Sequence, residues 1–422
     1  MLHNLLPKNT YVRNVITLMT GTSLAQAIPI AVSPILTRLY SPEEFGLLAI
    51  YMSCLAVFSV IATGKYELAI TLPASDVDAA NIAVLTLKIC AVASCILFIL
   101  VLIFGNIVAE ALGNIGIAPW LYLLPISVFL TAMFNIFQFW HNRNSNYRAM
   151  SGARIQNASL GSTANIGFGF ANISGGQILG ALVGQLLTVC WIARKAWIKE
   201  KEIFSLSTPS EQWRLARSYA SHPKYVAPSQ LIGVFATQIP NWIVSYFYSL
   251  TGLGFFSLAY RLVSLPTGLV ASAIGDVYRQ KISVAYQKQG EFQVIFLKTL
   301  KTTAILALFP FGILYAVAPS LFSFVFGEPW RIAGDYARIL VVASFFQFIF
   351  TPIDKGALVV GATRYIFGWH VTRLVLFLFL AVGVGYMQLS IEVMLWGFVG
   401  INVFMYAIDG IVEFFLSKSF RP

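Results

Sequence analysis

Stretches of apolar residues follow one another along almost the whole chain, and each reaches the about 20 residues that a helix needs to cross a bilayer. Twelve are read: 14–37, 43–63, 79–104, 117–140, 154–173, 175–194, 225–247, 252–275, 297–319, 337–357, 366–386 and 393–417. In hydrocarbon the backbone must satisfy its own hydrogen bonds, so helices are expected. Hydrophobic residues make up 58% of the chain and charged ones 11%, which excludes a soluble globular domain. The connections are too short to hold a separate soluble domain. Cys54, Cys90, Cys95 and Cys190 all fall within these segments without metal-ligand spacing, and read as small apolar residues.

Lys8 and Arg13, an apolar run and Ala25-Gln26-Ala27 imitate a signal peptide and its cleavage site. The run continues to Leu36, long enough to span, so an uncleaved first helix is expected. With the N-terminus placed in the cytoplasm, inside connections and termini hold 22 of the 28 Lys and Arg residues. Only Arg38, Arg331 and Arg338 fall outside, and Lys88, Arg261 and Arg373 lie within helices. Such a bias predicts that both termini are cytoplasmic. It also accounts for the net charge of +11, so no nucleic-acid partner is needed.

The longest polar connection, residues 195–224, divides the segments into two sets of six, giving lobes 1–205 and 206–422. Segments one and seven both start inside, so a repeat would be parallel. Tyr40-Ser41 followed by Gly46 opens segment two, and Tyr248-Ser249 followed by Gly254 opens segment eight at the same spacing. Pro29 and Pro34 in segment one are matched by Pro228 and Pro240 in segment seven, where lost donors should bend the helices. Ser41-Pro42-Glu43-Glu44 is a helix start: Ser41 can cap, Pro42 suits the first position, and the acids face the positive dipole end.

Charge inside a bilayer is costly and marks a functional position. Arg38, Lys88, Arg261 and Arg373 form the candidate cationic, substrate-binding set. Arg261 stands out, because nine residues precede it in its segment and an apolar run follows, with Pro266 making the helix irregular nearby. Lys88 could instead snorkel to the interface, Arg373 could reach inner headgroups, and Arg38 could anchor an outer helix end. The acids Asp276, Asp354, Asp409 and Glu413 lie toward the cytoplasmic side, with Asp409 and Glu413 four apart on one face. They could bind a coupling proton or sodium ion, or pair with neighbouring Lys and Arg. His3, His141, His222 and His370 are scattered, with no HExxH and no Ser/His/Asp arrangement. No GxxxxGK[ST] occurs, so ATP hydrolysis by that machinery is excluded, and the chain reads as a transporter without catalytic residues, metal or cofactor.

Several segments carry a family resemblance. Pro34-Ile35-Leu36-Thr37-Arg38-Leu39-Tyr40-Ser41-Pro42-Glu43-Glu44-Phe45-Gly46 resembles the end of the first helix in bacterial polysaccharide-export flippases of the Wzx type. Lys65-Tyr66-Glu67-Leu68-Ala69-Ile70-Thr71-Leu72-Pro73, then Trp140-His141-Asn142-Arg143 with Tyr147, are similar to its stretches after helices two and four. Leu258-Ala259-Tyr260-Arg261 with Pro266, then Val277-Tyr278-Arg279, resembles its helix eight. The resemblance implies an all-α integral membrane fold of the multidrug/oligosaccharidyl-lipid/polysaccharide class, with twelve helices in two six-helix bundles around a central cationic cavity. It implies a lipid-linked oligosaccharide as substrate, carried on undecaprenyl diphosphate across the bacterial inner membrane. Proton or sodium coupling and a polysaccharide polymerase and chain-length regulator as partners would follow. The related peptidoglycan-precursor flippases usually have two further helices, which argues against lipid II as substrate. The rivals are a drug or cation antiporter of the same fold, and an integral-membrane polysaccharide polymerase or ligase.

Overall fold

The computed structural model describes residues 10–418; the chain ends expected in the cytoplasm, with Lys8 and Arg421, lie outside the described residues. Every regular element among the described residues is helical. Two compact units form, Met1–Val234 and Phe235–Pro422. The first holds α1 (Thr10–Leu39), α2 (Pro42–Thr63), α3 (Asp76–Ala111), α4 (Ala118–Leu121), α5 (Leu124–Arg143), α6 (Tyr147–Phe170), α7 (Gly176–Ser205) and α8 (Pro209–Ser218). Helix α9 (Ala227–Phe247) leads into the second, which holds α10 (Leu250–Val263), α11 (Ser272–Gln289), α12 (Gln293–Phe326), α13 (Arg331–Phe350), α14 (Gly356–Val360), α15 (Thr363–Met387) and α16 (Ile391–Ser417).

Eight of these helices (α1, α2, α3, α7, α12, α13, α15 and α16) are long and apolar enough to cross a membrane. Two bent pairs would each make one further, broken span: Ile115–Leu121, which contains α4, meets α5 at 52°, and α10 meets the helix from Thr267 that contains α11 at 40°. The second break is the irregularity expected from Pro266, followed directly by a π-helical turn, Thr267–Ala271. Helices α6 and α9 have spanning length but more polar sequences. Together these helices lie over the twelve expected segments, of which eight, or ten with each bent pair counted as one span, are long and apolar enough to cross. The paired proline positions are not equivalent in detail. Pro29 and Pro34 lie inside α1 and Pro240 inside α9, whereas Pro228 follows directly on a π-helical turn, His222–Val226, that runs unbroken into α9.

The two junctions singled out for their spacing are built alike. Ser41 caps α2 by accepting from Glu44 N, with Glu44 returning to Ser41 N in a capping box. Ser249 caps α10 by accepting from Gly252 N at 2.9 Å. The preceding tyrosines lock each junction to its own unit: Tyr40 Oη donates to Asn165 O on α6 at 2.7 Å, and Tyr248 Oη donates to Leu389 O after α15 at 2.9 Å. Helices α6 and α15 each lie over the fifth expected segment of their half, so the correspondence extends beyond the local sequence. Close packing in the first unit rests on small residues. A Cβ at Gly184 of α7 would stand 2.5 Å from Gly161 N of α6.

The 195–224 connection is docked on the first unit rather than free. Helix α7 kinks at Glu200 (φ −135°), whose carboxylate accepts from the Trp140 indole and from Asn144 Nδ2 at 2.9 Å. Asn81 Oδ1 then accepts from Ser207 Oγ at 2.8 Å and Thr208 N at 3.0 Å, while Arg214 reaches Asp78 at 3.1 Å. Leu215 buries itself among Ala83, Ile136 and Trp140, and Tyr66 Oη donates to Ala216 O at 3.0 Å. Burial there holds the Tyr66 phenol above its ordinary value.

Arg143 fastens the same end of the unit. It donates to Asp76 Oδ1 at 2.8 and 3.0 Å, Pro73 O at 2.6 Å and Ala74 O at 3.1 Å. Two stretches that carried the family resemblance are thus joined by a structural clamp. Arg143→Ala should destabilise the unit by on the order of 2 kcal/mol, since hydrogen bonds to charged groups are lost and carbonyls are left unpaired. A clear fall in melting temperature of the purified protein in detergent is the expected reading; an unchanged melt would remove the clamp from the account.

Candidate functional site

In the second unit the end of α13, α14, α15 and α16 enclose a cavity of about 260 Å³. Its lining includes Asp354, Tyr365, Trp369, His370, Arg373, Tyr406 and Asp409. Local sequence explains the convergence. Tyr365, Trp369 and Arg373 recur every four residues on α15, and Asn402, Tyr406, Asp409 and Glu413 recur at three or four on α16, so each set shares one helix face.

The acids are held individually. Asp409 is buried, and its Oδ1 accepts from Tyr365 Oη at 2.7 Å. Glu413 is fully buried; its Oε1 accepts from Ala357 N at 2.8 Å, and its Oε2 has no partner. Gly356 permits that approach, because a Cβ there would collide with the Glu413 carboxylate and lie 3.1 Å from Phe292 Cζ. Asp354 pairs with Lys355 at 2.5 Å. The Tyr278 hydroxyl of α11 is likewise buried without a partner.

Arg373 is the cation of this site. It is 9% exposed, donates from Nη2 to Asn402 Oδ1 at 2.9 Å and lies over the rings of Trp369 (5.4 Å) and Phe377 (5.6 Å). Asn402 is itself fixed, donating to Phe398 O at 2.8 Å. Arg373 Nε remains buried and unpartnered. With all groups ionised, Asp354, Asp409 and Glu413 outweigh Arg373 and Lys355 by one negative charge. Among the described residues no three His, Cys, Asp or Glu side chains are grouped to hold a metal ion.

The other expected site residues lie elsewhere. Asp276 is exposed on α11 and is not part of the cavity wall. Arg38 is exposed in the last turn of α1, with Nη1 3.4 Å from Pro34 O. Lys88 of α3 donates to Gln212 Oε1 of α8 at 2.9 Å, which ties it to the docked connection. Arg261 is exposed on α10, in the span broken after Pro266, and has neither an ion pair nor a hydrogen bond among the described residues. So Asp354 and Asp409 line one cavity with Arg373 while Glu413 is held against Ala357, whereas Arg261 stands apart as an exposed, uncommitted guanidinium. Tyr365, Trp369, Asn402 and Tyr406 were not singled out from sequence; their three-and-four spacing from Arg373 and Asp409 is the signal that would have found them.

Similarity to known proteins extends over most of the chain. Residues 35–334 match the family described as polysaccharide biosynthesis protein. The chain is 26% identical to the succinoglycan biosynthesis transport protein ExoT of Rhizobium meliloti over 358 residues, which is 81% of this chain and 68% of that protein. Its fold is that of an inward-facing multidrug-resistance MATE transporter of the MOP superfamily (TM-score 0.72, 17% identity, 94% of this chain and 93% of that one). It is also that of the lipid II flippase MurJ in an inward closed conformation (TM-score 0.70, 16% identity, 94% and 86%). The chain therefore belongs to the polysaccharide biosynthesis protein family, as a multi-pass membrane protein with the fold of the MOP-superfamily transporters.

Proposed function

We propose that this protein is a flippase that passes an undecaprenyl-diphosphate-linked oligosaccharide, an O-antigen or capsule repeat unit, from the inner to the outer leaflet of the bacterial cytoplasmic membrane. Arg261 carries the reading. An arginine in a membrane span with no protein partner is costly unless a ligand or water receives it, and its planar fork suits diphosphate oxygens. Arg38, Lys88 and Arg373 complete the proposed cationic set, with Arg373 lining the acidic cavity and Lys88 held by Gln212 of α8. The named relative acts in transport for polysaccharide synthesis, which supports the same substrate class. No catalysis is assigned to the chain; polymerase and chain-length regulator would act on what it delivers.

Asp354, Asp409 and Glu413 serve as the coupling site in this reading, with Asp276 as an accessory acid. A proton is the ligand that a lone buried carboxyl oxygen, Glu413 Oε2, can take without further coordinating groups. Glu413→Gln keeps the size and removes the titrating proton. It should reduce transport at least tenfold in cells while Gly356 packing and insertion persist, and the same loss is expected for Asp409→Asn. Unchanged surface polysaccharide in both variants would assign the acids a structural role. The acidic cavity is also what a drug or cation antiporter would need; toxic-cation resistance conferred by expression, with no effect on polysaccharide, would favour that rival.

Both termini and the 195–224 connection are assigned to the cytoplasm from the distribution of Lys and Arg. In a cysteine-free background, an impermeant thiol reagent added outside should miss Ser210→Cys and label Glu328→Cys, both exposed positions. The opposite pattern would invert the topology and the direction of transport with it.

A further inference from the structure

Helix α6 is anomalous for its length. It runs 24 residues yet does not qualify as an apolar span. One side is closed by its own unit: Ser151 Oγ donates to Thr17 O at 2.9 Å, Arg154 donates to Thr22 Oγ1 at 2.6 Å, and Gly161 packs against α7. At about 100° per residue, Gln156, Ser159, Thr163 and Gly167 fall together on the opposite side. Gln156 and Ser159 are half-buried, and Thr163 and Gly167 are exposed. Gln156, Ser159 and Thr163 have no hydrogen-bond partner among the described residues. Beside Gly167 the space is open, with no heavy atom within 4 Å of where a Cβ would stand.

Unpaired amides and hydroxyls do not face hydrocarbon without a large cost, so this strip must meet water or a polar solute. It carries no charge, since Arg154 turns toward α1. Amide and hydroxyl groups both donate and accept, which matches the hydroxyls of a neutral sugar better than a phosphate or an ion. We infer that the Gln156, Ser159, Thr163 and Gly167 face of α6 binds the saccharide of the lipid-linked substrate. This rests on the flippase reading and adds to it a surface of the first unit that takes the sugars. The gap at Gly167 leaves room for a pyranose ring to approach the helix backbone.

Two variants test it with two probes, undecaprenyl diphosphate and the lipid-linked repeat unit extracted from membranes of the producing bacterium. Gly167→Leu puts bulk into open space and raises helix propensity, so its melting temperature should not fall. Wild-type protein in detergent should bind the sugar-bearing lipid at least tenfold more tightly than undecaprenyl diphosphate. Gly167→Leu, and the triple variant Gln156→Ala, Ser159→Ala, Thr163→Val, should each erase that difference and leave undecaprenyl diphosphate binding unchanged. Arg261→Ala should weaken both probes. Normal discrimination by both α6 variants overturns the inference and leaves the flippase reading standing. Failure of wild-type protein to bind either lipid overturns the flippase reading, and the saccharide surface with it.

Discussion

Arg261→Ala should abolish surface polysaccharide although the protein is inserted at its normal level. The expectation follows from what Arg261 does not do in the structure. It pairs with no acid and donates to no carbonyl among the described residues, so its removal leaves no protein group unsatisfied. The loss should appear in substrate handling. A hydrogen bond to a charged group contributes about 1.5–3 kcal/mol, roughly one to two orders of magnitude in affinity, and a bidentate fork makes two such bonds. Arg261→Lys should recover part of the activity, because an ammonium keeps the charge but not the planar geometry. Surface polysaccharide scored by immunoblot, beside protein level in the membrane fraction, reads both effects. Full activity of the alanine variant would make Arg261 an interfacial anchor and remove the main support for a diphosphate site.

The spans were legible from sequence because the bilayer imposes one simple requirement, a run of apolar residues of fixed length. Even the broken eighth span was legible, since Pro266 cannot continue the hydrogen-bond ladder and a π-helical turn follows it. The matched Tyr-Ser junctions were visible as spacing, but not the bonds from Tyr40 and Tyr248 to the fifth span of each half, which join residues far apart in the chain. The site was partly legible. Asp409 and Glu413 share a face by helical period alone, whereas their meeting with Asp354, Tyr365 and Arg373 depends on how three helices and a turn pack. Lys88 shows the limit from the other side. Its membrane depth was legible, but its bond to Gln212, 124 residues later, was not, because that pairing exists only where α8 folds back onto α3.

Deletion of the gene should leave single lipid-linked repeat units on the cytoplasmic leaflet, and this outcome separates a flippase from a polymerase or ligase. A flippase acts before polymerisation, so its loss holds the precursor where it is made. Loss of a polymerase would leave the same units facing outward, available for transfer to an acceptor one at a time. Two features of the chain favour the first outcome. The longest connection among the described residues, 195–224, is the basic one, and it is taken up in docking through Asn81, Gln212 and Arg214 rather than in forming a catalytic loop. The uncommitted polar groups are Arg261, on the broken α10 span, and the α6 strip, on a helix of spanning length. Intact spheroplasts of the deletion strain, treated with an impermeant sugar-specific lectin before and after lysis, give the reading. Repeat units that become accessible only after lysis are expected, in nearly all of the accumulated pool. Units fully accessible beforehand would place the block after translocation, and the polymerase or ligase reading would take over.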